Sequence, residues 1–121
     1  LSLFLRYKKS KKMIEFNLKA EKVTYLSMSG KILSDEDISP MLVALDSIRN
    51  WNIVFDLTEL THTNSSGIAF MVKILTRARI NGGDLVILNP NTGLSKLFEI
   101  KKMHEVFSIY TSKENAINHF N

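Results

Sequence analysis

The sequence predicts an α/β fold: one domain with a mixed β-sheet of four or five strands packed by about four α-helices. Three observations predict it. Ile14, Phe16 and Leu18 alternate with Glu15, Asn17 and Lys19, the period of a half-buried strand. From residue 39 onward, apolar stripes at three–four spacing alternate with short β-branched runs, the pattern of right-handed crossovers in a partly parallel sheet. Gly30 and Gly82-Gly83 fall between the patterned segments, where a chain turns.

Each element follows in order. The strand at Ile14–Leu18 leads through Ala20-Glu21-Lys22, a turn, into a second strand, Val23–Met28, closed by Gly30. Ser39-Pro40 reads as a helix start, with Ser39 as the cap and Pro40 in the first turn; Met41, Leu42, Leu45 and Ile48 form its stripe. Asn52–Asp56 is a central buried strand, with Trp51 packing at its edge. A polar loop then leads to the strongest helix, Ser65–Ile80, with Ile68, Met71, Val72, Leu75 and Arg79 at helical spacing and Gly82-Gly83 as its stop. Asp84–Leu88 is another buried strand. A helix over Thr92–Lys101 turns Leu94, Leu97 and Phe98 inward. Val106, Phe107 and Ile109 mark a short last strand, and Ser112 caps a helix over Lys113–Phe120.

Composition narrows the function classes. The formal charge of +4 is concentrated at the start: Arg6, Lys8, Lys9, Lys11 and Lys12 stand in residues 1–12 without an acid, which leaves 11 of the 16 basic residues against all 12 acids. A nearly neutral body does not read as a nucleic-acid binder. Residues 1–12 are expected to be a loosely attached basic tail (a tag, an upstream mis-start before Met13, or a flexible arm), and the domain is expected to span 13–121. Their apolar part precedes the charge, the reverse of a signal peptide. No apolar run approaches the ~20 residues that cross a bilayer. A cytoplasmic location is expected. The absence of cysteine excludes disulfides and thiolate metal sites.

The segment 54–68 carries the most information. It runs from a strand onto a helix start, where Asn64-Ser65-Ser66-Gly67 places two hydroxyls and a glycine among backbone N–H groups without helical partners. An ordinary N-cap accounts for these residue types. The same place favours an anion, so a phosphate on a serine there gains from the helix. Gly67, without a side chain, is expected to let another surface approach the backbone.

Asp56-Leu57-Thr58 with Ser65-Ser66-Gly67-Ile68 resembles the signature of the STAS family, as found in anti-sigma-factor antagonists: D-x-S/T-x-x-x-x-D-S-S-G-[LI] after the third strand. The resemblance continues through Arg79–Ile87, Leu94–Phe98 and Val106–Ser112 with Ala116-Ile117, covering about 14–121. It implies an anti-sigma factor antagonist whose Ser65 is phosphorylated by a partner anti-sigma factor with ATP-dependent serine kinase activity and released by a phosphatase. It implies a partner-binding surface of Asn64, Ser65, Ser66 and Gly67 with Leu33, Ser34, Asp35 and Asp37. Three positions depart from the pattern. Asn64 replaces the acid before the serine, Leu33 stands where an Asp follows Gly30-Lys31-Ile32, and Lys102 replaces a frequent glycine before the last strand.

No other constellation carries chemistry. His62, His104 and His119 lack metal-ligand spacing, and Ser65 is not in a G-x-S-x-G elbow. Gly82-Gly83 follows a helix and precedes a strand, the reverse of a phosphate loop. Asn64-Ser65-Ser66 matches a glycosylation sequon only in form. Asp35-Glu36-Asp37 reads as solvated charge before the first helix. No catalytic residue, metal or cofactor is therefore expected, and the oligomeric state is left open. A STAS module of a lipid-transport or stressosome-like complex, never phosphorylated, is the alternative function; an enzyme is the third class, and it lacks an acid–base–nucleophile set.

Overall fold

A computed structural model describes residues 3–8, 14–20 and 22–121. Six strands form one sheet in sequence order: β1 (Leu3–Lys8), β2 (Ile14–Ala20), β3 (Thr24–Ile32), β4 (Asn52–Thr63), β5 (Asp84–Leu88) and β6 (Ser108–Tyr110). β1, β2 and β3 pair antiparallel; β3 to β6 pair parallel. The helices α1 (Asp35–Leu45), α2 (Ser65–Ile80), α3 (Thr92–Ile100) and α4 (Lys113–Asn118) supply the crossovers and the closing segment. The expected mixed α/β architecture is thus present, with β2 to β6 as its five predicted strands.

β1 corrects one expectation. Residues 3–8 are not a loose tail; they add a strand at the sheet edge, with Leu5 in register with Leu18 and Tyr7 with Phe16. The basic residues of 1–12 mask the strand period of Leu3, Leu5 and Tyr7, which recur every second residue. The other basic residues of that segment, beyond Arg6 and Lys8, lie outside the described residues.

The sheet separates two apolar layers. On one face α1, α2 and α3 cover Phe16, Leu18, Leu26, Met28, Phe55 and Ile87, among others. On the opposite face α4 covers Val54, Val86 and Leu88, with Ala116 at the centre. This explains the unbroken apolar runs of the central strands, which are buried on both sides. α2 and β5 have the bounds expected of them. Gly82 takes φ +80°, which lets the chain reverse after α2 without a Cβ clash. Trp51 packs against the main core, and the Arg77 guanidinium lies 5.1 Å from its ring centroid.

Three boundaries differ most from expectation. β3 is not closed by Gly30 but runs through it to Ile32, paired with the extension of β4. α1 starts at Asp35, four residues before the predicted cap, with Ser34 as N-cap and Pro40 inside the helix. The acids read as loop charge are its first turn, where the helix dipole favours them. Asp37 is 1% exposed and accepts hydrogen bonds from the Leu33 N–H (2.9 Å) and the Ser34 hydroxyl (3.3 Å). That arrangement resembles a capping box and outweighs the proline. β4 does not stop at Asp56 but continues to Thr63, so the expected polar loop is strand. β3 supports it along the whole added length, reaching Ile32 opposite Thr63.

Candidate functional site

The carboxyl ends of β3 and β4 lie side by side, and α1 and α2 both start there. In sheets of this kind, binding residues gather at that end. Side chains of β4 stitch the two strand ends together. Thr61 Oγ1 donates to the Gly30 carbonyl at 2.9 Å, and Thr63 Oγ1 to the Ile32 carbonyl at 2.8 Å. These bonds cross a stretch where the ladder register shifts between Gly30 and Lys31.

Asn64 completes the series and joins both helix starts. Its Oδ1 accepts from the Ser66 N–H (3.0 Å) and the Gly67 N–H (3.4 Å), the role of an N-cap. Its Nδ2 donates to the Leu33 carbonyl at 2.9 Å. The side chain thus needs an acceptor at one end and a donor at the other, which an asparagine has and an aspartate lacks. The substitution of Asn64 for the acid of the motif therefore has a structural reading.

Ser65 follows as the first residue of α2. It is exposed, and its hydroxyl has no hydrogen-bond partner among the described residues. No base is positioned on it. The first turn of α2 contains no acid of its own and its cap, Asn64, is neutral, while Asp35 of α1 lines the adjoining groove with Ser66. The expectation that a phosphate here gains from free N–H groups needs correction: Asn64 already accepts from two of them, those of Ser66 and Gly67.

The eight residues expected to form one binding surface divide in two. Leu33, Ser34, Asp35, Ser65 and Ser66 are exposed around the paired helix starts, with the half-exposed Asn64 between them. Gly67 and Asp37 are not at the surface. Gly67 is buried, and a Cβ on it would fall on the Thr63 hydroxyl. It is required by close packing of α2 on β4, not by an approaching partner. Asp37 serves the α1 cap. A groove of about 280 Å³ opens beside this surface, between Asp35, Ile38 and Leu42 of α1 and Ser66, Phe70 and Lys73 of α2.

The D-x-T half of the motif lies elsewhere. Asp56 Oδ1 accepts from the Thr58 N–H (2.9 Å) and hydroxyl (2.6 Å), while its Oδ2 accepts from the Tyr25 hydroxyl at 2.5 Å. Burial, then the bond to Asp56 and its charge, push the Tyr25 phenol well above its ordinary value. This knot holds β3 to β4 where β5 leaves the sheet, as Asp56 is the last β4 residue paired with β5. A second polar cluster was missed in the sequence. His119 Nε2 meets Asp84 Oδ2 at 2.8 Å, and its Nδ1 meets the Tyr110 hydroxyl at 2.7 Å, which ties the chain's end to β5 and β6. Its members are 35 residues apart at the widest, so spacing gives no signal.

Together, the mixed sheet, the crossover helices and the serine-bearing start of α2 define a member of a known class of domain. A sequence profile of the STAS domain matches residues 8–116, and the chain belongs to this family. Solved structures agree on the fold. An anti-sigma-factor antagonist (STAS) domain protein from Planctomyces limnophilus superposes with a TM-score of 0.76 at 18% identity, covering 87% of this chain and 97% of that one. An anti-sigma factor antagonist from Mycobacterium paratuberculosis gives 0.66 at 17% identity, covering 99% and 94%. The phosphorylated form of the Bacillus cell fate determinant SpoIIAA gives 0.64 at 16% identity, covering 88% and 99%. No helix among the described residues is long and apolar enough to cross a membrane.

Proposed function

We propose that this chain is an anti-sigma factor antagonist. It binds an anti-sigma factor with ATP-dependent serine kinase activity through Leu33, Ser34, Asp35, Asn64, Ser65 and Ser66, and it is switched by phosphorylation of Ser65 and reset by a phosphatase. It acts by occupying its partner and does no chemistry of its own. The observation that carries this reading is the Ser65 hydroxyl, exposed at the first residue of α2, beside a neutral cap and within the surface formed by the two helix starts. The STAS relatives described as anti-sigma factor antagonists, one of them solved in a phosphorylated form, support it.

The electrostatics favour a switch. A phosphate adds about −1.5 to −2 charges. Within the free protein it sits at the positive end of α2 with no acid in the first turn. Within a packed interface the same charge is desolvated and unpaired, at a cost of several kcal/mol. Incubation with the cognate kinase and ATP, followed by mass-spectrometric mapping, tests the site. Phosphate on Ser65, and none on the Ser65→Ala variant, is expected. No phosphate on any residue, with partner binding intact in Ser65→Asp, would reject the switch in favour of an unphosphorylated STAS module.

A further inference from the structure

A second groove, of about 690 Å³, lies on the other side of β4 from α1. Its floor is Thr61, His62 and Thr63, and its wall is Lys96, Leu97 and Ile100 of α3. β4 is longer than its neighbour. β5 pairs with it only over residues 52–56, whereas β3 follows it to Thr63. Beyond Asp56, β4 therefore has a strand along one edge and none along the other among the described residues. Asn89 Nδ2 reaches the Thr58 hydroxyl at 3.3 Å and Asn91 Nδ2 the Leu60 and Thr61 carbonyls at 3.3 and 3.1 Å, so the segment after β5 covers this edge up to Thr61 and leaves His62 and Thr63 open. An open edge of this kind is a template for one more strand.

We propose that an extended acidic segment of a partner protein docks in this groove by adding to the free edge of β4. The proposal rests on the reading of this chain as a protein-binding domain and gives that domain a second contact. Three features select the occupant. The strand edge selects an extended chain. Leu97 and Ile100, the latter 77% exposed, select apolar side chains on the face toward α3. The lining contains His62 and Lys96 and no acid, and the first turn of α3 contains none, so the field favours acidic residues. The same field disfavours the basic segment 1–12 of a second copy. Thr63 joins the groove to Asn64, so one partner can span both surfaces.

The probe is a capped octapeptide of alternating valine and glutamate, titrated into the isotope-labelled full chain and followed by amide shifts. Saturable shifts confined to residues 61–63 and 92–100 are expected, with none for the lysine counterpart. Lys96→Glu, a change at an exposed position, should weaken the peptide roughly fivefold or more, and Lys73→Glu in the groove between α1 and α2 should leave it unchanged. No shifts, equal shifts with the lysine peptide, or undiminished binding by Lys96→Glu would overturn the proposal. So would tighter binding of a thymidine oligonucleotide at the same residues, which would make the groove a nucleic-acid site. Ser65→Asp separates this proposal from the switch. Peptide binding retained while Ser65→Asp leaves anti-sigma factor capture intact rejects the switch alone. Peptide binding absent while Ser65→Asp abolishes capture rejects the groove alone.

Discussion

Asn64 uses both ends of its amide, one to cap α2 and one to hold the Leu33 carbonyl. Asn64→Ala loses both and should cost about 1–2 kcal/mol, read as a fall in the urea midpoint; an unchanged midpoint would show that the amide is not holding the two loops. Lys102 presents the opposite case. It takes φ 57° where the family pattern favours glycine. A left-handed conformation costs an L-residue about 1–2 kcal/mol, and glycine avoids this at roughly half that cost in chain entropy. Lys102→Gly should therefore raise stability by about 0.5–1 kcal/mol in the same assay, and any loss would contradict the strain. At Gly67 a Cβ meets the Thr63 hydroxyl, so Gly67→Ala should lower stability by about 1–3 kcal/mol through overpacking. Ser65 and Asn64 were legible as residues at a helix start because cap chemistry is local. The burial of Gly67 was not, because it depends on how closely α2 settles on β4.

At the scale of elements, α2 and β5 were legible to the residue, since strong periodicity and the Gly82-Gly83 stop coincide. α1 was not, because Pro40 mimicked a first turn and three acids mimicked a loop. The physical cause is Asp37, whose carboxylate takes two hydrogen bonds at the helix start. Asp37→Ala strands the Leu33 donor and should destabilise the fold by about 1–3 kcal/mol; a near-neutral effect would mean the cap forms without it. The clasp at α4 makes a pH prediction. Burial raises the Asp84 carboxyl, but hydrogen bonds from His119, the Leu85 N–H and Arg79, together with the Arg79 charge, outweigh it and hold the group below its ordinary 3.8. A lowered folded value gives stability that is fully present above the ordinary value and lost as the pH falls through the folded one. Thermal unfolding from about pH 5 down to about pH 2 should show a shallower acid limb for Asp84→Asn than for the unaltered protein; parallel curves would contradict the pairing.

For the molecule as a whole, the order of elements after Ile14 was legible from period alone. The edge strand was hidden by its charge, and the extra length of β4 by polar residues that look like a loop. Thr61 and Thr63 are in a strand because they bond to β3 carbonyls, a long-range fact no local pattern contains. The result is a sheet that presents Ser65, with the exposed Ser34 and Ser66 beside it, at two paired helix starts. The central claim is that a charge at Ser65 controls partner binding. The most direct test is the dissociation constant of the purified cognate anti-sigma factor for the unmodified and the Ser65-phosphorylated chain, measured by calorimetry. With a desolvation cost of about 3 kcal/mol, binding should weaken more than a hundredfold on phosphorylation while the melting temperature of the free chain stays nearly constant. Equal affinity for the two forms would contradict the account.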